Sequence, residues 1–192
     1  STHCISSAAS DVYKRQSRNL QKLIEQLLDY NRKQADGPVA REAVDLVELV
    51  ENVVAAHSLP ARAKLMHTEL TLQARRCLAE PALLISVMDN LYSNAVHYGA
   101  ESGNIRIHSY RHGDQVRIDV ANSGEPIPAA EKNMIFEPFY QGSHQRKGAV
   151  KGSGLGLSIA RDCVRQMQGE LSLVDAPAGQ VCFRITLPSA PE

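Results

Sequence analysis

The chain has 192 residues, with Lys+Arg and Asp+Glu equal at 21 each and hence no formal net charge. A 43% hydrophobic share can fill a core, yet no run approaches the ~20 apolar residues needed to span a bilayer, and no signal peptide opens the chain. No basic surplus, 5% aromatic residues and no Trp argue against a nucleic-acid partner.

Residues 1–16 are small and polar without periodicity and read as a non-native or disordered leader. From Ser17 to about Ala35, a stripe of Leu20, Leu23, Leu27 and Tyr30, widened by Ile24 and Leu28, predicts a helix. At ~28 Å it is marginal alone in water, so its apolar stripe calls for bundle or dimer packing. Asp36-Gly37-Pro38 stops it and opens a linker over 37–44. Leu46, Leu49, Val50, Val53 and Val54 recur at helical spacing and predict a helix near 45–59. Met66–Leu72 alternates as a strand, and Pro81 opens a second helix to about Tyr98. Ile105–Tyr110 and Gln115–Ala121 form a predicted hairpin around His112-Gly113-Asp114. A short helix is expected near 129–135 and a third long helix from about Gly154, with Leu155, Ile159, Ala160, Cys163, Val164 and Met167 inward. Strands over Glu170–Asp175 and Gln180–Leu187 close the chain. The sum is an α+β fold: a two-layer sandwich of three long helices on one face of a mixed, largely antiparallel sheet, with its domain at 45–188. The four cysteines lack metal-ligand spacing, and Cys163 and Cys182 sit in apolar patterns, as buried thiols in a soluble protein of a reducing cytosol would.

Four segments bear on chemistry. Asn90 and Asn94 are one helical turn apart, so their amides share a face. Two aligned amide oxygens can ligate magnesium whose remaining ligands are phosphate and water; they can also be two surface asparagines. Asn122-Ser123-Gly124-Glu125-Pro126-Ile127-Pro128 follows a strand, and Gly124 allows a tight turn or the close approach of a flat ring. Ile135-Phe136-Glu137-Pro138-Phe139-Tyr140 is either core aromatic packing or a rigid hinge. Gly152, Gly154 and Gly156 alternate before a helix, where exposed N–H groups and the positive dipole end favour phosphate. Alone that loop is a weak signal, and it is neither a Walker loop nor a Rossmann fingerprint.

In this order and spacing, the four segments resemble the N, G1, F and G2 boxes of histidine kinases, within the gyrase, Hsp90 and MutL group of ATP-binding folds. The resemblance spans about Ser17–Leu187, and Asp89–Ala160 is most similar to an enterobacterial sensor kinase. It implies a Bergerat-type ATP-binding fold at 45–188, with residues 17–36 as the second helix of a dimerisation hairpin. It also implies a protein histidine kinase of a two-component system, using ATP and Mg²⁺. Asn90 and Asn94 would hold the ion and phosphates as the catalytic pair. His97 would take the place of a phosphate-facing Lys, Tyr98 would pack beside adenine, and Asn122 would replace the usual Asp that accepts from the adenine amino group. Gly124, Ile127, Phe136, Gly152, Gly154, Leu155 and Gly156 would complete the pocket. Pro126 stands in place of a second glycine, and Gln141 in place of an Arg, so Arg146, Lys147 or Lys151 would serve phosphate from a lid over 141–151. The implied partners are the phosphoacceptor hairpin of the same kinase, a second copy in a full-length homodimer, and a response regulator of the sigma-54-dependent type. The full-length protein is expected in the bacterial inner membrane with this region cytoplasmic. The phosphoacceptor histidine is expected before Ser17, where His3 lacks the acidic neighbour and proline of that segment, so this chain alone is not expected to autophosphorylate. Three rivals stand beside this reading: an ATPase of the gyrase, MutL or Hsp90 kind, a non-catalytic nucleotide-binding or scaffold module, and a protein-serine kinase of the anti-sigma type, which the bundle-like helix expected over 17–35 disfavours. The first needs a Glu one turn before the first Asn, where Ser86 cannot act as a base.

Overall fold

The alternating segments become a five-stranded sheet in the computed structural model, which describes residues 39–142 and 154–190. In chain order the elements are β1 (Glu42–Asp45), α1 (Leu46–Ala56), α2 (Ser58–Ala63), β2 (His67–Leu72), β3 (Arg76–Ala79), α3 (Pro81–Tyr98), β4 (Asn104–His112), β5 (Gln115–Ser123), α4 (Gly156–Gln166), β6 (Glu170–Val174) and β7 (Gln180–Pro188). The main sheet runs β2-β4-β5-β7-β6, parallel between β2 and β4 and antiparallel elsewhere. The expected mixed, largely antiparallel sheet with helices packed on it is therefore present. The helix predicted over 17–36 and most of the lid lie outside the described residues.

Register explains the two faces. Ile107 faces Val120 and Ile118 faces Ile185, and all four are 0–1% exposed. With period-2 alternation, one inward row is apolar and the next outward row polar. Each buried aliphatic of that row contributes about 1.5–3 kcal/mol. The opposite face carries Asp119 and Arg184 side by side, joined by two hydrogen bonds of 2.7 and 2.8 Å from the guanidinium. Asn122 continues the inward row of Val116, Ile118 and Val120, so its amide points into the helix layer.

The long helix α3 starts cleanly. Glu80 accepts from Leu83 N–H at 2.6 Å, and Pro81 occupies the first turn, where no N–H is needed. Leu84, Val87, Met88, Leu91, Tyr92, Ala95 and Val96 form its inward rows. Asn90, Asn94 and His97 lie on a half-buried flank of the same helix. α4 buries Ile159, Ala160, Cys163 and Val164 against it, as the periodicity predicts.

Four local readings change. The helix predicted over 45–59 is two helices, broken at His57, because the Pro60 ring would clash with the carbonyl of Ala56 in a continuous helix. Residues 129–135 form turns and one short 3₁₀ turn, Met134–Phe136, instead of an α-helix, with Met134 N–H bonded three residues back to Glu131. The third helix begins at Gly156, two residues late, since Gly154 sits at φ +70°. The segment read as linker contributes β1, which pairs antiparallel with the unanticipated β3, Val44 opposite Cys77. Asp45 ends β1 and caps α1, accepting from Val47 N–H at 2.8 Å. Strands of four residues offer too little alternation to be read from sequence.

Candidate functional site

Helix α3 lays the site out along its length. Asn90 lies near its middle, and Tyr98 ends it eight residues on, ~12 Å along the axis. The Asn90 amide nitrogen donates to the Ser86 carbonyl at 2.8 Å. A carbonyl only accepts, so this bond fixes the flip of the amide and turns Oδ1 the other way. That oxygen looks at the start of α4: a Cβ added to Gly156 would stand 2.9 Å from it. Two of the sequence-predicted segments, 66 residues apart, therefore meet. Asn94 follows one turn later on the same flank, half-buried. Leu155 precedes α4 with no polar side chain to cap the first turn, whose N–H groups point along the axis toward this edge. The Leu155 side chain itself is 4% exposed and belongs to the core, so only its backbone is at the surface of the site.

Among the described residues, no cluster of three or more His, Cys, Asp or Glu could hold a metal ion. The amide oxygens of Asn90 and Asn94 are neutral, hard donors. Such a set suits a magnesium ion whose charge is met by phosphate oxygens.

The other end of the site is built around the end of α3. Gly124 follows β5, and a Cβ there would lie 3.2 Å from Asn122 Nδ2 and 3.3 Å from the Tyr98 carbonyl oxygen. Asn122 is 7% exposed, and its Nδ2 donates to the Ser123 carbonyl at 3.1 Å, which directs Oδ1 away from that bond. Ala100 N–H donates to Ser123 O at 2.8 Å and Gly124 N–H to Gly179 O at 2.9 Å, so the turn is stitched on both sides. Tyr98 is half-exposed beside it, with its ring edge-on to His97 at 4.6 Å. Ile127 packs partly buried against the core. Burial, and after it the nearby Lys64 ammonium, holds the His97 imidazole below its ordinary value. Its charge support for a phosphate is therefore withdrawn at neutral pH.

Phe136, for which the resemblance implies a pocket role, packs in the core, the aromatic packing that its segment also allows. It is 7% exposed, meets Phe183 edge-on at 6.2 Å, and lies beneath the Arg161 guanidinium at 5.3 Å. It therefore anchors the segment before the lid in the core. Beyond it, Phe139 N–H donates to the Gly154 carbonyl at 2.8 Å, tying together the two ends of the segment between them. Gly154 is required there twice over: φ is +70°, and a Cβ would come within 2.8 Å of the Phe139 backbone. Arg146, Lys147, Lys151 and Gly152 lie outside the described residues.

Sequence reasoning missed Lys64, whose Nζ donates to the carbonyls of Val96, His97 and Gly99 at 2.6, 2.9 and 2.8 Å. A single Lys in a polar stretch, more than thirty residues away, carries no periodic signal.

Residues 79–191 match the family described as histidine kinase-, DNA gyrase B- and HSP90-like ATPase. The sensor histidine kinase GlrK of Escherichia coli strain K12 is 74% identical over 174 residues, 91% of this chain and 37% of that protein. Sensor histidine kinase QseE of Escherichia coli O157:H7 is 73% identical over the same shares. The chain thus spans just over a third of the length of these relatives. Histidine kinase ThkA, solved in complex with the response regulator TrrA, matches the whole chain and 53% of its own with a TM-score of 0.76 and 25% identity.

Proposed function

The chain belongs to the histidine kinase-, DNA gyrase B- and HSP90-like ATPase family, whose fold binds ATP, and from that premise we propose that it is the catalytic portion of a two-component sensor histidine kinase. It transfers the γ-phosphoryl of ATP to a histidine for relay to a response regulator. One observation carries this reading: Asn90 Oδ1 is aimed at the glycine opening α4, so an amide oxygen and a helix N-terminus converge where a triphosphate would lie. The relatives at 73–74% identity, both sensor histidine kinases, point the same way, and the ThkA–TrrA complex supports a response regulator as partner.

Asn90 and Asn94 would hold Mg²⁺, which would offset the negative charge developing in phosphoryl transfer. The first turn of α4 orients the phosphates, and Lys147, Lys151 and Gly152, outside the described residues, are the proposed further phosphate contacts. Tyr98, Asn122, Gly124 and Ile127 seat the base, with Asn122 Oδ1 accepting from the adenine amino group. The bond from the β–γ bridging oxygen to the γ-phosphorus breaks, ADP leaves, and the new P–N bond forms on a histidine of the dimerisation hairpin, to which residues 17–36, outside the described residues, are proposed to belong. Positioning and electrostatics supply most of the catalysis in such a transfer. In its full-length form the kinase is proposed to be an inner-membrane homodimer with this region in the cytoplasm and a sigma-54-dependent regulator as its target.

The test mixes the chain with a hairpin that carries an intact phosphoacceptor segment, using labelled ATP. Phosphohistidine forming in the mixture, and lost with Asn90→Ala, is the expected result. ATP binding without any transfer would leave a nucleotide-binding module. Steady hydrolysis by the chain alone would move it to the ATPases.

A further inference from the structure

The end of α3 is finished in an unusual way. An α-helix leaves its last four carbonyls without intrahelical donors, and a following residue in the left-handed region commonly supplies the missing bonds. Here Gly99 follows α3 at φ −61° and ψ 153°, outside that region, and its N–H reaches only the Ala95 carbonyl. The carbonyls of Val96, His97 and Gly99 accept instead from one ammonium, Lys64 Nζ. A cation at a helix C-terminus is also favoured by the dipole. The remaining carbonyl, that of Tyr98, abuts Gly124. Lys64 is itself held in place: its own carbonyl accepts from Ser102 N–H at 2.9 Å. Met66, two residues on, packs where a Cβ on Gly99 would stand, 2.4 Å from Met66 Cε.

We propose that Lys64 is a positioning residue for base recognition: by gathering these three carbonyls it fixes the end of α3, and with it the Tyr98–Gly124 edge against which Asn122 presents its amide. This rests on the reading of the cleft as a nucleotide site. Lys64 touches no part of the nucleotide and acts through the backbone. Removing its ammonium leaves three carbonyls to find water, and the corner that holds Tyr98, Gly124 and Asn122 loosens. The phosphate end, set by Asn90 and α4, lies ~12 Å away along the helix and keeps its geometry.

The role predicts a selective defect. GTP carries a carbonyl where ATP carries the amino group; Asn122 Nδ2 is engaged by the Ser123 carbonyl, and the acceptor role proposed for its Oδ1 predicts that the unaltered chain prefers ATP. Affinities for ATP, GTP and inorganic tripolyphosphate are measured for the unaltered chain, Lys64→Met and Lys64→Arg. In Lys64→Met, ATP affinity falls roughly tenfold, the preference for ATP over GTP collapses toward unity, and tripolyphosphate affinity stays level. Lys64→Arg, which keeps charged donors, restores most of the preference. A role confined to stability would lower all three affinities together and leave the preference intact, and that outcome overturns the proposal. Exchange of the Lys64 ammonium protons in the unaltered chain gives a test free of mutation: ATP should slow it and tripolyphosphate should not, and an equal response to both also overturns it. Failure of the unaltered chain to bind ATP or GTP would instead remove the nucleotide reading itself.

Discussion

Single side chains set the chemistry of this cleft, and two of them make sharp predictions. In the proposed base site Asn122 is neutral, where the family resemblance implies a carboxylate as partner of the adenine amino group. A charge-assisted bond is worth about 1.5–3 kcal/mol against about 0.5–1.5 for a neutral one. Asn122→Asp is therefore expected to tighten ATP binding several-fold by calorimetry. It should also lower the melting temperature, because the Nδ2–Ser123 bond is lost and a charge is placed where only 7% of the residue is exposed. An unaltered ATP dissociation constant removes Asn122 from the base site. His97 gives the pH dependence. Its folded value lies below the ordinary 6.5, through burial first and Lys64 second. As pH falls past 6.5 the unfolded chain takes up the proton before the folded one. In the window between the two values the unfolded state holds more protons, so His97 costs stability as pH falls there, and nothing further below the lowered value. Melting curves from pH 8 to 5 should show this acid-side loss and show less of it in His97→Gln.

At the scale of elements, the joints rather than the helices are demanding. Phe139 and Gly154 are bonded at 2.8 Å across the segment that joins them, and a Cβ on Gly154 would meet the Phe139 backbone at 2.8 Å. Gly154→Ala should break that stitch and strain a positive φ, at a cost of about 1–3 kcal/mol. Phosphotransfer should fall further than ATP binding, because the entry to α4 aims its N–H groups at phosphate while the base edge is left in place. Equal losses in binding and transfer would argue against this division. By contrast, the starts of α1 and α3 are self-contained, each capped by the carboxylate just before it, Asp45 and Glu80.

For the whole molecule, the site has no existence outside the fold. Asn90 on α3 and Gly156 at the start of α4 come together, and Gly124 after β5 takes its place at the far end of α3, only when the two helices pack on the sheet. A ligand that needs all three binds the folded state alone and stabilises it by mass action, by about 2.7 kcal/mol at a hundred times its dissociation constant. A rise of several degrees in melting temperature with Mg·ATP is expected, and a smaller one in Asn90→Ala. No rise with the unaltered chain would mean that these groups do not share a ligand.

The sequence alone determined the sheet strands of the long hairpin, the span of α3 from Pro81 to Tyr98, and the order of the Asn, Gly-turn and glycine-loop segments. Those features are periodic or local: alternation of Ile105 and Ile107, a proline in a first turn, two amides at a four-residue spacing. Tertiary structure alone decided the rest. The β1–β3 pair depends on contact between short strands with no period to read. The burial of Phe136 depends on Phe183, which arrives from the far end of the chain. The flip of the Asn90 amide toward Gly156 and the three carbonyls gathered by Lys64 are likewise pairings across a distance, and no local pattern specifies which groups a fold will bring within 3 Å of one another.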